Sequence, residues 1–272
     1  MTTLWCVNTA MNDLSTTGNI APSARTASND ADHAFVLHTY PYRETSLIVE
    51  AFTAAHGRMV LVAKGAKRPH GALRGRLQPF QALTLAWFGK AEMKTLKTAE
   101  QDRILPQLSG RALLSAFYMN ELLLKLTLRE DPHEDLFAAY DRTVSALAAQ
   151  AFSLQGARDI ATLLRKFEVA LLKGLGYALQ LEVEADSHVA IDPSREYLYL
   201  IERGPVDTRH AARENLHDDA LQLSGKTLID MARDDYIDPQ TQTQSKQLMR
   251  KLINHLLGDK TLHTRTLIRE LK

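Results

Sequence analysis

The sequence is poor in cysteine. Cys6 is the single one in 272 residues, so no disulfide can close within the chain and no thiolate cage can hold zinc. This fits a reducing compartment such as the cytoplasm. Apolar runs are short, and none approaches the roughly 18–20 residues a membrane helix needs. The N-terminus lacks a basic start followed by an apolar run, so it is not expected to act as a secretory signal. Enzyme signatures are missing too. There is no His-Glu-x-x-His, no Gly-x-Ser-x-Gly and no Gly-x-Gly-x-x-Gly, and the 10 histidines show no ligand spacing. No catalytic residue, cofactor or metal is therefore expected. One further lack is local: residues 51–91 contain no Asp or Glu.

That acid-free stretch holds Arg58, Lys64, Lys67, Arg68, Arg74, Arg76 and Lys90. Like charges this close repel one another, and a polyanion would relieve the repulsion. Residues 182–240 carry 14 acids against 6 Lys or Arg, and the last helices turn basic again. A formal net charge of +1 thus hides strong segregation.

Residues 1–32 are rich in Thr, Ser, Asn, Ala and Asp without periodicity and are expected to form a disordered tail. Strand signals then recur at 34–39, 46–53, 58–63, 82–88 and 93–99. In the second, Leu47, Val49 and Ala51 alternate with Ile48, Glu50 and Phe52. In the fourth, Leu83, Leu85 and Trp87 share a face. In the fifth, Lys94, Leu96 and Thr98 are expected opposite Thr95 and Lys97. Five short strands between 33 and 105 point to a small closed barrel of OB type. After Pro106 the period becomes helical. Helices are expected at about 109–129, capped by Ser109, at 134–151 and at 158–175. Residues 179–209 revert to short β-like pieces, and helices return at 224–233, 245–257 and 262–271. The fold class is α+β multidomain: an N-terminal barrel, then an all-α helical domain over 106–272 with a small β-like insert.

Cations interleaved with aromatics suit single-stranded nucleic acid, because phosphates need positive charge and bases need flat faces. Tyr42, Phe80, Trp87 and Phe88 are the nearby aromatics, with Phe80 and Trp87 better suited to filling the barrel. Ser224-Gly225-Lys226-Thr227 resembles the end of a phosphate loop, but Ala220 stands where the motif needs Gly, so Ser224 reads as a helix cap. The Asp218-Asp219 and Asp234-Asp235 pairs read as solvated acids. Lys246, Arg250 and Lys251, beside Leu248, Leu252, Leu256 and Leu257, form an amphipathic face that packs on the bundle or docks a partner peptide. An RNA-binding barrel and a protein-interaction adaptor are the alternatives to a DNA-binding protein.

Several short motifs follow one another in order. They are Tyr42-Arg43-Glu44 with Ser46, Gly57-Arg58, Ala63-Lys64-Gly65-Ala66-Lys67, Leu73-Arg74-Gly75 and Leu77-Gln78-Pro79-Phe80. Tyr118, Glu121-Leu122, Arg165, Phe167-Glu168 and Gly176-Tyr177 continue the series, and Gly258, Lys260, Leu262 and Arg265 close it. Together they resemble the bacterial recombination-mediator family RecO over about 34–271. The resemblance implies an OB-fold domain and a helical domain. It also implies binding to single- and double-stranded DNA, strand annealing and work in recombinational repair by the RecF pathway in the bacterial cytoplasm, at the nucleoid. The partners implied are RecR, the C-terminal tail of single-stranded-DNA-binding protein and, indirectly, RecA. Some family members carry a four-cysteine zinc site matching 179–209, where this chain has no cysteine, so its insert is expected to hold by packing around Tyr197, Leu198, Tyr199 and Leu200. The expected DNA contacts are Arg43, Arg58, Lys64, Lys67, Arg68, Arg74 and Arg76.

Overall fold

A computed structural model describes residues 30–149, 156–211 and 220–270. Five strands come first: β1 (Asp30–Tyr42), β2 (Ser46–Thr53), β3 (Gly57–Ala63), β4 (Ala82–Phe88) and β5 (Met93–Arg103). They close into a barrel in the order β1-β2-β3-β5-β4. Only the β3–β5 pairing is parallel. This is the five-stranded OB-type arrangement the strand spacing suggested. β1 starts at Asp30, which pairs with Trp87, so residues 30–32 are strand rather than the end of a tail. The rest of the expected tail lies outside the described residues.

The alternation along each strand divides the chain between two cores. Val36, Val49, Ala51, Leu61, Leu85 and Trp87 fill the barrel. Phe35, Leu37 and Phe52 point the other way, into the helical core. β1 and β2 are thus buried on both faces over part of their length. Three register shifts adjust the pattern, one of them between Ala82 and Leu83. In β5 the ladder runs from Leu96 to Thr98 opposite Trp87 and Ala86, skipping Lys97. Leu96 and Ala99 therefore both enter the barrel, and strict alternation fails there. In β1 the ladder skips Leu37 between Val36 and His38.

The helical part comprises α1 (Gly110–Leu126), α2 (Glu134–Ala149), α3 (Gly156–Gly174), α4 (Thr208–Ala211), α5 (Gly225–Ala232), α6 (Pro239–Leu257) and α7 (His263–Glu270). Met119, Leu122, Tyr140, Val144, Phe167 and Leu171 form its centre. Ser109 occupies the cap position of α1, but its side chain makes no capping bond. α6 begins six residues before the expected 245, because Asp238 accepts the N–H groups of Gln240 and Thr241 and Pro239 starts the first turn. Glu121 on α1 accepts the backbone N–H groups of His263 (2.8 Å) and Thr264 (2.9 Å), tying down the start of α7. Burial pushes the Glu121 carboxyl up, but these bonds, the Thr264 hydroxyl and Lys125 outweigh it and hold it below the usual range. Glu168 is the opposite case. Burial raises its carboxyl despite Arg165 beside it and the Tyr118 hydroxyl donating at 2.7 Å.

The insert is a three-stranded sheet in the order β7-β6-β8, from β6 (Glu196–Leu200), β7 (Gly204–Asp207) and β8 (Leu221–Ser224). β8 lies past the expected limit at 209, so the insert is larger than its β-like sequence. Tyr197 and Tyr199 enter the helical core, while Leu198 packs with Val206 on the other face. The Tyr197 hydroxyl accepts the Asp192 N–H at 2.9 Å.

Barrel and helices meet closely at one turn. A Cβ on Gly57 would lie 2.0 Å from the Asp131 carbonyl oxygen, and its φ of +69° also favours glycine. The Glu130 N–H donates to the Arg58 carbonyl at 2.8 Å beside it.

Candidate nucleic-acid interface

The loop between β3 and β4 carries most of the cations, and it is firmly anchored. Ala66, Leu73 and Leu77 drop into the barrel core. Successive backbone bonds fold it into tight turns: Arg68 N–H to Gly65 (3.0 Å), Gly71 to Arg68 (3.0 Å) and Arg74 to Gly71 (3.0 Å). A Cβ on Gly71 would meet the Gly65 carbonyl at 2.4 Å, so the path needs glycine there. The Lys67 N–H donates to the Thr45 carbonyl at 2.9 Å and docks the loop on the β1–β2 turn.

Lys64, Lys67, Arg68, Arg74 and Arg76 are exposed on this frame. Arg74 donates to the Pro69 carbonyl (3.0 Å) and Arg76 to the Ala99 carbonyl (3.1 Å), which fixes one side of each guanidinium. Arg43 joins them from the β1–β2 turn with φ +53°. Its guanidinium carbon lies 5.1 Å from the centre of the Tyr42 ring. A cleft of about 440 Å³ opens between turn and loop, lined by Arg43, Lys64, Arg68, Tyr42, Val62 and Glu44 among others. The stretch is acid-free in sequence, yet the fold brings Glu44 to this cleft.

Arg58 does not belong with them. Its side chain is only 12% exposed, donates to Glu50 at 2.9 Å and to the Thr127 carbonyl at 2.9 Å. Glu50 also accepts Arg129 at 3.0 Å. Arg58 is a clamp between barrel and helices, and a phosphate would have to displace a buried carboxylate to reach it. Its partners lie 8 and 69 residues away, beyond any local pattern.

The aromatics separate cleanly. Trp87 fills the barrel, and Phe80 sits in the helical core, edge-on to Phe117 at 5.0 Å. Phe88 is exposed and Tyr42 half-buried. Tyr40, absent from the sequence reading, is 45% exposed. The first strand was expected to end at 39, one residue short of it, whereas β1 runs on to Tyr42.

On α6, Lys246 and Arg250 are exposed, but Leu248, Leu252 and Leu257 are in the core. The leucine stripe is spent on the bundle. Ser224 is a cap, its Oγ accepting the Thr227 N–H at 3.1 Å. The Gly225 N–H donates to the Arg195 carbonyl at 2.7 Å, so it is turned to its own chain rather than to a phosphate. Asp234 pairs with Lys166 at 2.6 Å, and Asp218-Asp219 lie outside the described residues. Among the described residues no group of three or more His, Cys, Asp or Glu is placed to hold a metal. The insert, without cysteine, does not fit a thiolate zinc site. No helix among the described residues is long and apolar enough to cross a membrane.

Comparison with known proteins agrees with this architecture. Residues 30–103 match the family model for the recombination protein O N terminal, and residues 107–265 that for its C terminal. The DNA repair protein RecO of Aromatoleum aromaticum is 49% identical over 244 residues, covering 89% of this chain and 96% of that protein. That of Nitrosospira multiformis is 50% identical over 242 residues, covering 89% and 95%. That of Thiobacillus denitrificans is 46% identical, covering 88% and 91%. The two matches divide at the barrel–helix boundary, and the chain belongs to the RecO family of DNA repair proteins.

Proposed function

We propose that this chain binds single- and double-stranded DNA on its basic rim, anneals complementary strands and helps to load a recombinase during recombinational repair. The observation that carries the reading is the anchored loop with its exposed Lys64, Lys67, Arg68, Arg74 and Arg76, joined by Arg43. Annealing requires no catalytic group. It requires two phosphate backbones to be neutralised together while the bases stay free to search. A rigid frame with long, exposed cations meets both needs: the charges stay clustered and each contact stays weak. With about five phosphates engaged, the log–log salt slope on single strands is near −3.5.

RecR, the C-terminal tail of single-stranded-DNA-binding protein and, indirectly, RecA are the partners in this reading, with the cytoplasm and its nucleoid as the workplace. Lys246, Arg250 and Lys251 on α6 offer charge to an acidic tail, though not an apolar seat. The test is Lys64→Glu, Lys67→Glu and Arg68→Glu combined. These side chains are exposed, so the fold should persist. DNA affinity by fluorescence anisotropy should fall roughly a hundredfold or more at moderate salt, and annealing of bare and coated strands should stop. Unchanged affinity in a folded variant would refute the reading.

A further inference from the structure

We infer that Tyr40 is a base-stacking residue that gives this barrel its preference for unpaired DNA, an inference that rests on the DNA-binding reading above. It comes from the sheet register. Tyr40, Ile48, Val62 and Thr95 are successive partners across β1, β2, β3 and β5. Residues directly opposite one another share a face. The neighbouring Val49 and Leu61 point into the barrel, so this row points out. None of the four belongs to the barrel or helical core cluster, although Val62 is itself buried and Ile48 and Thr95 are half-buried. Tyr40 is 45% exposed, and His38 contacts its ring edge-on at 4.4 Å.

The bulge in β1 decides this orientation. Had Leu37 been paired in register, Tyr40 would face the barrel interior. The helical domain stabilises the bulge: the Leu37 carbonyl accepts the Asn120 amide at 2.9 Å, and Asn120 in turn accepts the Tyr140 hydroxyl at 2.6 Å. Helices α1 and α2 therefore hold Tyr40 on the outside.

Charge identifies the occupant. Val62 belongs both to this row and to the cleft lined by Arg43, Lys64 and Arg68. An aromatic ring, an apolar floor and a cleft with three cations against one carboxylate, Glu44, match a polymer that alternates phosphates with flat apolar faces. Single-stranded DNA presents those faces, whereas a duplex hides them in its stack.

The experiment uses the full chain and three probes: an oligo(dT) strand, an equally long abasic sugar-phosphate strand and a duplex. Wild type should bind oligo(dT) more tightly than the abasic strand. Tyr40→Ala should weaken oligo(dT) binding about tenfold and leave abasic and duplex binding within about twofold. Tyr40→Phe should behave as wild type. Tyr40→Leu, which keeps apolar bulk without a ring, should lose the preference while preserving the melting temperature. Equal losses on all three probes, no loss on any, or a wild type indifferent to bases would overturn the inference and leave the basic rim as a phosphate site alone. A wild type that binds none of the probes would overturn the DNA reading itself.

Discussion

The two charged regions of this chain differ in what answers their charge. In the insert and the helices after it, acids meet bases of the same chain: Asp207 with Arg209, Asp186 with Arg203, Asp230 with Lys226. On the barrel rim, Lys64, Lys67 and Arg68 stand exposed, and Lys64 and Arg68 line a cleft together with Glu44. Composition shows an excess of one sign in both places. In the first, part of the acids is met by bases of the same chain, whereas among the described residues none of Lys64, Lys67 and Arg68 has an acid partner. An excess left open on a rigid frame is the better mark of a ligand site, because no ion pair among the described residues uses those charges.

Arg58 gives the sharpest break in the comparison, since it sits in the basic stretch yet behaves like the insert. Arg58→Ala leaves Glu50 buried with Arg129 as its remaining ion-pair partner. We expect a loss of about 1–3 kcal/mol in urea denaturation, because the Thr127 carbonyl and one Glu50 oxygen lose their donor while Arg129 still pairs with Glu50. Lys67→Ala should move stability by less than about 0.5 kcal/mol. Similar values for the two would return Arg58 to the rim set.

Asp207 sharpens the other side. Hydrogen bonds from the Arg209 side chain hold its carboxyl near about 2, overcoming its burial, against an ordinary 3.8. A carboxyl held low in the folded state stabilises above its unfolded value and loses that contribution as pH falls through the folded one. The melting temperature should therefore drop between about pH 4 and pH 2, and Asp207→Asn should flatten that part of the profile. An unaltered profile would mean that the pair is not formed in solution. The smallest effect is a single rim charge. Lys67→Ala should reduce the salt slope on single strands by about 0.7, one phosphate's share, with the fold untouched.

Much of the barrel was legible because strand patterns are local. The spans of β2 and β4 follow directly from alternation and flanking turns. Leu83, Leu85 and Trp87 share the interior as their spacing requires. The start of α6 was hidden because Thr and Gln there carry no apolar stripe, and the helix depends on its cap at Asp238. The rim cations were legible as a set, since like charges crowded without acids show in any linear reading.

What the sequence determined by itself is this modular plan: a small barrel with a basic loop, then a helical bundle, and the family to which both belong. Only the tertiary structure decided which cations are free and which aromatic is available. Arg58 is spent because strand register and the Thr127 carbonyl, just past α1 and far along the chain, converge on it. Tyr40 is displayed because one bulge, held by Asn120, shifts its strand by a residue. Both outcomes depend on contacts distant in sequence, where local pattern carries no information.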